Sequence, residues 1–172
     1  MDKLIQDVLS YSRVVRNESP IEKIDVANLL KGIIETYPAL SSELATIDRE
    51  DSFPPVWGNE AMLTQVFSNI LGNAVKFVAP GVKPQIKVWA EPKESNVRIL
   101  VKDNGIGIAQ DQHEKIFEIF QQVETGFEGT GIGLAIVKKA VERMGGKVGV
   151  ISEFGQGSTF WIELKRFQGG AK

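Results

Sequence analysis

The longest periodic stretch of the chain runs from Glu60 to Phe77, and it constrains what the remainder can fold into. Leu63, Val66, Phe67, Ile70, Leu71, Ala74 and Phe77 recur at helical spacing; Asn59 stands at the N-cap position and Pro80-Gly81 closes the run. A stripe of this width has to be covered by a broad apolar surface. The segments Gln85 to Glu91 and Asn96 to Lys102 supply one. They alternate Ile86, Val88, Ala90 and Val97, Ile99, Val101, the period of half-buried strands, around a Pro92-Lys93-Glu94-Ser95 turn.

The flanking segments extend this helix-on-sheet pattern. Ile21 to Val26 reads as an edge strand, after which Asp25 or Asn28 caps a helix carrying Leu29, Leu30, Ile33 and Ile34. Leu44 to Glu50 and Phe53 to Trp57 read as a further strand region, and Ile132 to Met144 as a helix stopped by Gly145-Gly146. Val148 to Ser152 and Thr159 to Lys165 form a closing hairpin. There is no regular βαβ rhythm. The expected fold class is α+β: a two-layer α/β sandwich with helices on one face of a mixed, mostly antiparallel sheet. Ahead of it, residues 1–15 place Leu4, Ile5, Val8, Leu9 and Ser12 at helical spacing, and Asn17-Glu18-Ser19-Pro20 breaks that helix. The expected division is a helix and linker over 1–19, a domain over 20–166 and a frayed tail over 167–172.

Composition narrows the chemistry by exclusion. The 172 residues contain no cysteine and one histidine, His113, so thiolate chemistry and sites needing two histidines are ruled out. A net charge of -2 gives no global attraction for nucleic acid or an anionic membrane, and no run is long and apolar enough to insert into a bilayer. A cytoplasmic domain is expected.

Polar residues on the long helix are the first functional signal. Asn69, Asn73 and Lys76 fall at i, i+4 and i+7, along one line bordering the apolar stripe. Asp103 ends a strand and precedes Asn104-Gly105-Ile106-Gly107-Ile108; a half-buried carboxylate there accepts a hydrogen bond from an exocyclic amine and rejects a carbonyl, which separates adenine from guanine. Gly129-Thr130-Gly131-Ile132-Gly133-Leu134 opens a helix, whose free N–H groups and positive dipole end suit a phosphate. This segment is neither a Walker A loop nor a Rossmann fingerprint, lacking the lysine of one and the preceding strand of the other.

Taken in order, five segments carry a resemblance. Asn69-Ile70-Leu71-Gly72-Asn73-Ala74-Val75-Lys76-Phe77, Asp103-Asn104-Gly105-Ile106-Gly107, Ile116-Phe117-Glu118-Ile119-Phe120, Gly129-Thr130-Gly131-Ile132-Gly133-Leu134-Ala135-Ile136-Val137 and Gly155-Gln156-Gly157-Ser158-Thr159-Phe160 follow one another. The chain resembles the catalytic and ATP-binding domain of sensor histidine kinases, with its N, G1, F, G2 and G3 boxes, in the wider GHKL group of ATPases with the Bergerat fold. The resemblance covers roughly residues 20–166, and residues 1–15 look like the end of a dimerisation and phosphotransfer helix.

The resemblance implies ATP as substrate and Mg²⁺ as cofactor, with Asn73 coordinating the metal, Asn69 holding its water shell or the phosphates, and Lys76 neutralising phosphate charge. It places Phe77 near the nucleotide, Asp103 on the adenine amine with Thr159 supporting it through a water, and Gly105, Gly107 and Ile108 around the base. Gly129, Thr130, Gly131, Ile132, Gly133 and Leu134 would lie along the phosphates, and Phe117 and Phe120 would anchor a lid between Gln121 and Glu128. The implied activity is that of a protein-histidine kinase domain presenting the γ-phosphoryl of ATP to a histidine on phosphotransfer helices, from which a response-regulator aspartate takes it; the parent kinase would be a homodimer. Two features depart from the family pattern. The phosphoacceptor histidine is absent, His113 lying beside the F box instead, and Gln121-Gln122 stand where the lid often carries a basic residue. These departures leave two alternatives open, a nucleotide-binding regulatory module and a serine-directed GHKL kinase.

Overall fold

The computed structural model describes residues 2–122, 126–127 and 129–169. Its centre is a five-stranded sheet ordered β2-β4-β5-β7-β6, comprising β2 (Thr46–Arg49), β4 (Gln85–Pro92), β5 (Asn96–Asp103), β6 (Lys147–Ser152) and β7 (Ser158–Lys165). Only the β2–β4 pair is parallel, so the sheet is mixed and mostly antiparallel, as the sequence pattern implies. The helices α2 (Val26–Thr36), α3 (Glu60–Lys76) and α4 (Gly133–Arg143) share a single core with it.

Alternation decides which side of the sheet holds that core. Val97, Ile99 and Val101 of β5 and Phe160, Ile162 and Leu164 of β7 are buried, together with Ile86 and Val88 of β4. They meet Leu63, Val66, Phe67, Ile70 and Leu71 of α3, all 1 % exposed or less. Truncating a core side chain such as Phe67 to alanine carries a cost of about 3–5 kcal/mol. Both long-range helices begin with the caps the sequence offers: Asp25 accepts from Asn28 N–H and Asn59 accepts from Met62 N–H. On the opposite face of the sheet Trp161 lies across Gly149 and carries the Arg98 guanidinium 4.0 Å above its ring, itself paired with Glu163.

Two segments differ from the sequence expectation. The Phe53–Trp57 region contributes only β3 (Val56–Gly58), which leaves the main sheet and pairs with β1 (Glu22–Ile24) in a separate two-stranded ribbon, because Pro54 and Pro55 offer no donors for a ladder. The start of the supposed tail is docked: Phe167 stacks on Trp57 with centroids 4.7 Å apart and its N–H bonds to Pro55 O. Residues 170–172 lie outside the described residues. Ahead of the sheet, α1 (Asp2–Arg16) packs on α4, burying Asp7 and Val14, with Tyr11 partly buried beside them. Leu4, Ile5, Val8 and Leu9 of the apolar stripe are exposed.

Candidate functional site

The site forms where α3, the turn after β5, the β6–β7 hairpin and the start of α4 converge on one cavity of about 1080 Å³. Backbone hydrogen bonds tie these elements together. Asp103 ends β5, and two residues on, the chain turns so that Ile106 N–H bonds to Phe77 O at the end of α3. Ile106 O in turn accepts from Gly155 N–H in the hairpin, and Ile108 N–H bonds to Ser152 Oγ. Gly107 is the residue that permits this closeness: its φ is +74°, and a Cβ there would lie 2.1 Å from Glu153 O.

Asp103 lines the cavity beside Ser158 and is 8 % exposed. Its Oδ1 accepts from both Gly105 N–H (2.9 Å) and Ser158 N–H (3.1 Å), which fixes the carboxylate plane. Oδ2 has no partner among the described residues, and no fully buried side-chain polar atom there is unsatisfied, so Oδ2 reaches the cavity surface. Burial pushes the carboxyl above the ordinary aspartate value of 3.8, opposed by the two N–H bonds, which favour the anion. The group is a fixed acceptor aimed into an apolar slot walled by Ile106, Ile108 and Phe160.

At the other end, the polar row of α3 faces the glycine-rich segment. Asn69 and Asn73 are half-buried, Lys76 is exposed, and all three line the cavity. Asn69 donates its Nδ2 to Gln65 O, leaving Oδ1 toward α4, where a Cβ at Gly133 would approach it to 2.9 Å. Asn73 makes no side-chain hydrogen bond to any described residue. Across from them α4 begins without a side-chain cap: Ile132 occupies the N-cap position, and the first helical N–H groups beside Gly133 and Leu134 have no intrahelical acceptor. An amide side chain without a partner, an ammonium and an uncapped helix start make a cradle for an anion and a hard cation. Among the described residues no group of three acidic or histidine side chains could hold a metal by itself. An ion here would take its other ligands from water and from the anion.

Several site expectations shift in position. Phe77 is the C-cap of α3 rather than part of its core stripe; it is half-buried, lines the cavity and meets Phe127 edge-on at 5.3 Å, with Lys76 Nζ 5.1 Å from its ring centroid. Thr159 does not line the cavity. It pairs with Lys102 on the outer face of the sheet, and Ser158, opposite Asp103, stands in the site instead. Ile132 is fully buried in the core and Gly105 lies behind Asp103, so neither presents a side chain to the cavity. Phe117 packs on Phe160, but Phe120 is 59 % exposed, with φ of +64° and its N–H bonded to Gly131 O. Of the expected lid, Gln121 and Gln122 line the cavity and Gln122 bonds to Gly129 O; residues 123–125 and 128 lie outside the described residues. His113 Nε2 bonds to Ile108 O, 3.0 Å away. Lys3, Leu4 and Asp7 of α1, to which no sequence motif points, also line the cavity; Asp7 accepts from Thr130 Oγ1 at 2.6 Å.

This geometry coincides with a match to a known family over residues 58–168, that of histidine kinase-, DNA gyrase B-, and HSP90-like ATPases. The chain belongs to this family. The chain is 35% identical over 166 residues to the phytochrome-like protein Cph1 of Synechocystis sp., covering 95% of this chain and 22% of that protein. It is 39% identical over 176 residues to the sensor histidine kinase AruS of Pseudomonas aeruginosa, covering 94% and 17%. Among solved structures it matches full-length ShkA in complex with AMPPNP with a TM-score of 0.82 at 34% identity, over 98% of this chain and 36% of that one. The chain thus spans about a fifth of the length of these curated relatives. No helix among the described residues is long and apolar enough to cross a membrane.

Proposed function

We propose that the domain binds Mg²⁺-ATP with adenine on Asp103 and the phosphates between α3 and the start of α4, and presents the γ-phosphoryl to a histidine of a sensor kinase's phosphotransfer helices. The observation that carries this reading is the facing pair at the open end: the Asn69, Asn73, Lys76 row lies against Gly129–Gly133 at the uncapped start of α4. Similarity to AruS, a sensor histidine kinase, favours a histidine over a serine as acceptor.

Each residue then has a task. Asp103 Oδ2 accepts from the adenine amine while Ile106, Ile108 and Phe77 hold the ring. The α4 N–H groups and Thr130 bind phosphate oxygens, and Lys76 offsets their charge. Asn73 Oδ1 offers a ligand to Mg²⁺, and Asn69 Oδ1 accepts from a water of its shell. The metal supplies charge neutralisation and orientation of the phosphates, on which phosphoryl transfer depends more than on covalent participation by the protein. The acceptor histidine, a response-regulator aspartate and a second copy in a homodimeric parent complete the proposed relay, with α1 as the end of a phosphotransfer helix.

The test is transfer of radiolabel from ATP to a separately supplied phosphotransfer domain. The wild-type domain should label its histidine and Asn73→Ala should lose at least about 100-fold in rate, in line with losing a preorganised charge contact. Label on serine, or full activity in Asn73→Ala, contradicts the assignment.

A further inference from the structure

The contact between α1 and the phosphate cradle has a chemistry of its own. Asp7 is buried, 7 % exposed, in the interface of α1 with α4. Its carboxylate has two partners: Lys3 Nζ at 2.8 Å on Oδ1, one turn back in the same helix, and Thr130 Oγ1 at 2.6 Å on Oδ2, in the glycine-rich segment. Lys3, Asp7 and Thr130 all line the nucleotide cavity. The Lys3 side chain is 74% exposed, so water solvates most of its charge and the pair contributes little. The hydroxyl of Thr130 is the contact that keeps Asp7 satisfied in the interface.

We propose that Asp7 is an affinity-determining residue that makes α1 docking and ATP binding compete for Thr130. This rests on the reading of the cavity as a nucleotide site. A phosphate oxygen in the cradle accepts the hydrogen bond that Thr130 now donates to Asp7, and it brings negative charge beside a buried carboxylate. Asp7 is then left with one solvated partner in a desolvated place, which is costly for an anion. Full hydration of its carboxylate requires α1 to move, because it lies mid-helix with Tyr11 and Val14 one and two turns along the same face. The most apolar residues of α1, Leu4, Ile5, Val8 and Leu9, stay exposed, so the docked face holds α1 through Asp7, Tyr11 and Val14. By linkage, whatever pulls α1 from α4 strengthens ATP binding by the same factor as ATP loosens α1.

The experiment combines titration calorimetry of Mg²⁺-ATP with amide hydrogen exchange across Asp2–Arg16, on the wild-type chain, Asp7→Asn and Thr130→Val. Asp7→Asn keeps an acceptor for Thr130 and removes the charge; it should tighten ATP binding about 3- to 10-fold, the range of a modest coupling. ATP should accelerate exchange in α1 of the wild type. In Thr130→Val α1 should exchange fast before ATP is added and show little further change. Weaker ATP binding in Asp7→Asn, unchanged affinity with altered α1 exchange, or α1 exchange slowed by ATP in the wild type overturns the proposal. If the wild type binds no ATP the nucleotide reading falls and this proposal with it, whereas normal wild-type binding with an indifferent Asp7→Asn defeats the competition alone.

Discussion

The two ends of the cavity are built by different means. At the base end backbone groups do most of the holding: Ile106 N–H to Phe77 O and Gly155 N–H to Ile106 O join main chain to main chain, and the Gly105 and Ser158 N–H groups fix the Asp103 carboxylate. At the phosphate end side chains make most of the contacts: Asn69 on its own helix, Gln122 on Gly129 and Thr130 on Asp7, with Asn73 unpartnered among the described residues and one backbone bond from Phe120 N–H to Gly131 O. A backbone network fixes one geometry and moves only if strands and helices move with it. Side-chain contacts exchange at low cost for contacts to a ligand. The base end is therefore a rigid reader, and the phosphate end is a surface that rearranges when its ligand arrives.

The largest expected effect that would break this contrast lies at Asp103. Asp103→Asn keeps an Oδ1 acceptor for Gly105 and Ser158 while turning Oδ2 into a donor. ATP affinity should fall about 10- to 100-fold, the worth of a charged hydrogen bond plus an unmatched donor, and preference should move toward GTP, whose carbonyl accepts. The fold should hold or gain slightly near neutral pH. Competition titration with ATP and GTP, beside thermal melts, reads both; unchanged discrimination would refute the rigid reader.

Next in size is Gly107→Ala. A left-handed φ costs a residue with a Cβ about 1–2 kcal/mol, and overlap with Glu153 O adds to it. Tm should drop by several degrees, as a loss of this size shifts a domain by roughly 2–8 °C. At the phosphate end Asn73→Ala, placed at a side chain with no hydrogen-bond partner among the described residues, should leave Tm within about 1 °C, a change below about 0.5 kcal/mol. Equal destabilisation by the two would erase the distinction.

The smallest effect is a pH dependence. Asp103 must be ionised to accept from adenine, and burial places its pKa above the ordinary value, so ATP affinity should decline with acidification earlier than an exposed aspartate would require. The sign for stability is opposite. A carboxyl whose folded pKa is raised adds stability below its unfolded pKa and loses it as pH rises through the folded value. Asp103 therefore weakens the fold at neutral pH, and Asp103→Asn should flatten both profiles.

Much of this was readable in the residues, for identifiable reasons. The α3 stripe and the β4–β5 alternation are strong periodic signals, and both elements form where the pattern places them. Parity also contained the Ser158 answer: with Phe160, Ile162 and Leu164 inward, Thr159 has to face outward and Ser158 inward. Family likeness pointed one residue too far along. Phe77 fits the helical period but lies where the helix ends, so the cavity, not the core, claims its ring. Asp7 gave no such signal. Its face of α1 is less apolar than the stripe beside it, and only the tertiary placement of α1 on α4 reveals the contact with Thr130.

The most direct measurement is a crystal structure of the domain with Mg²⁺ and a non-hydrolysable ATP analogue. The account predicts the adenine amine within hydrogen-bond distance of Asp103 Oδ2, Asn73 Oδ1 on the metal, and phosphate oxygens on the N–H groups at the start of α4, with the base end unmoved. Adenine elsewhere in the cavity, or a metal that Asn73 does not touch, would contradict it.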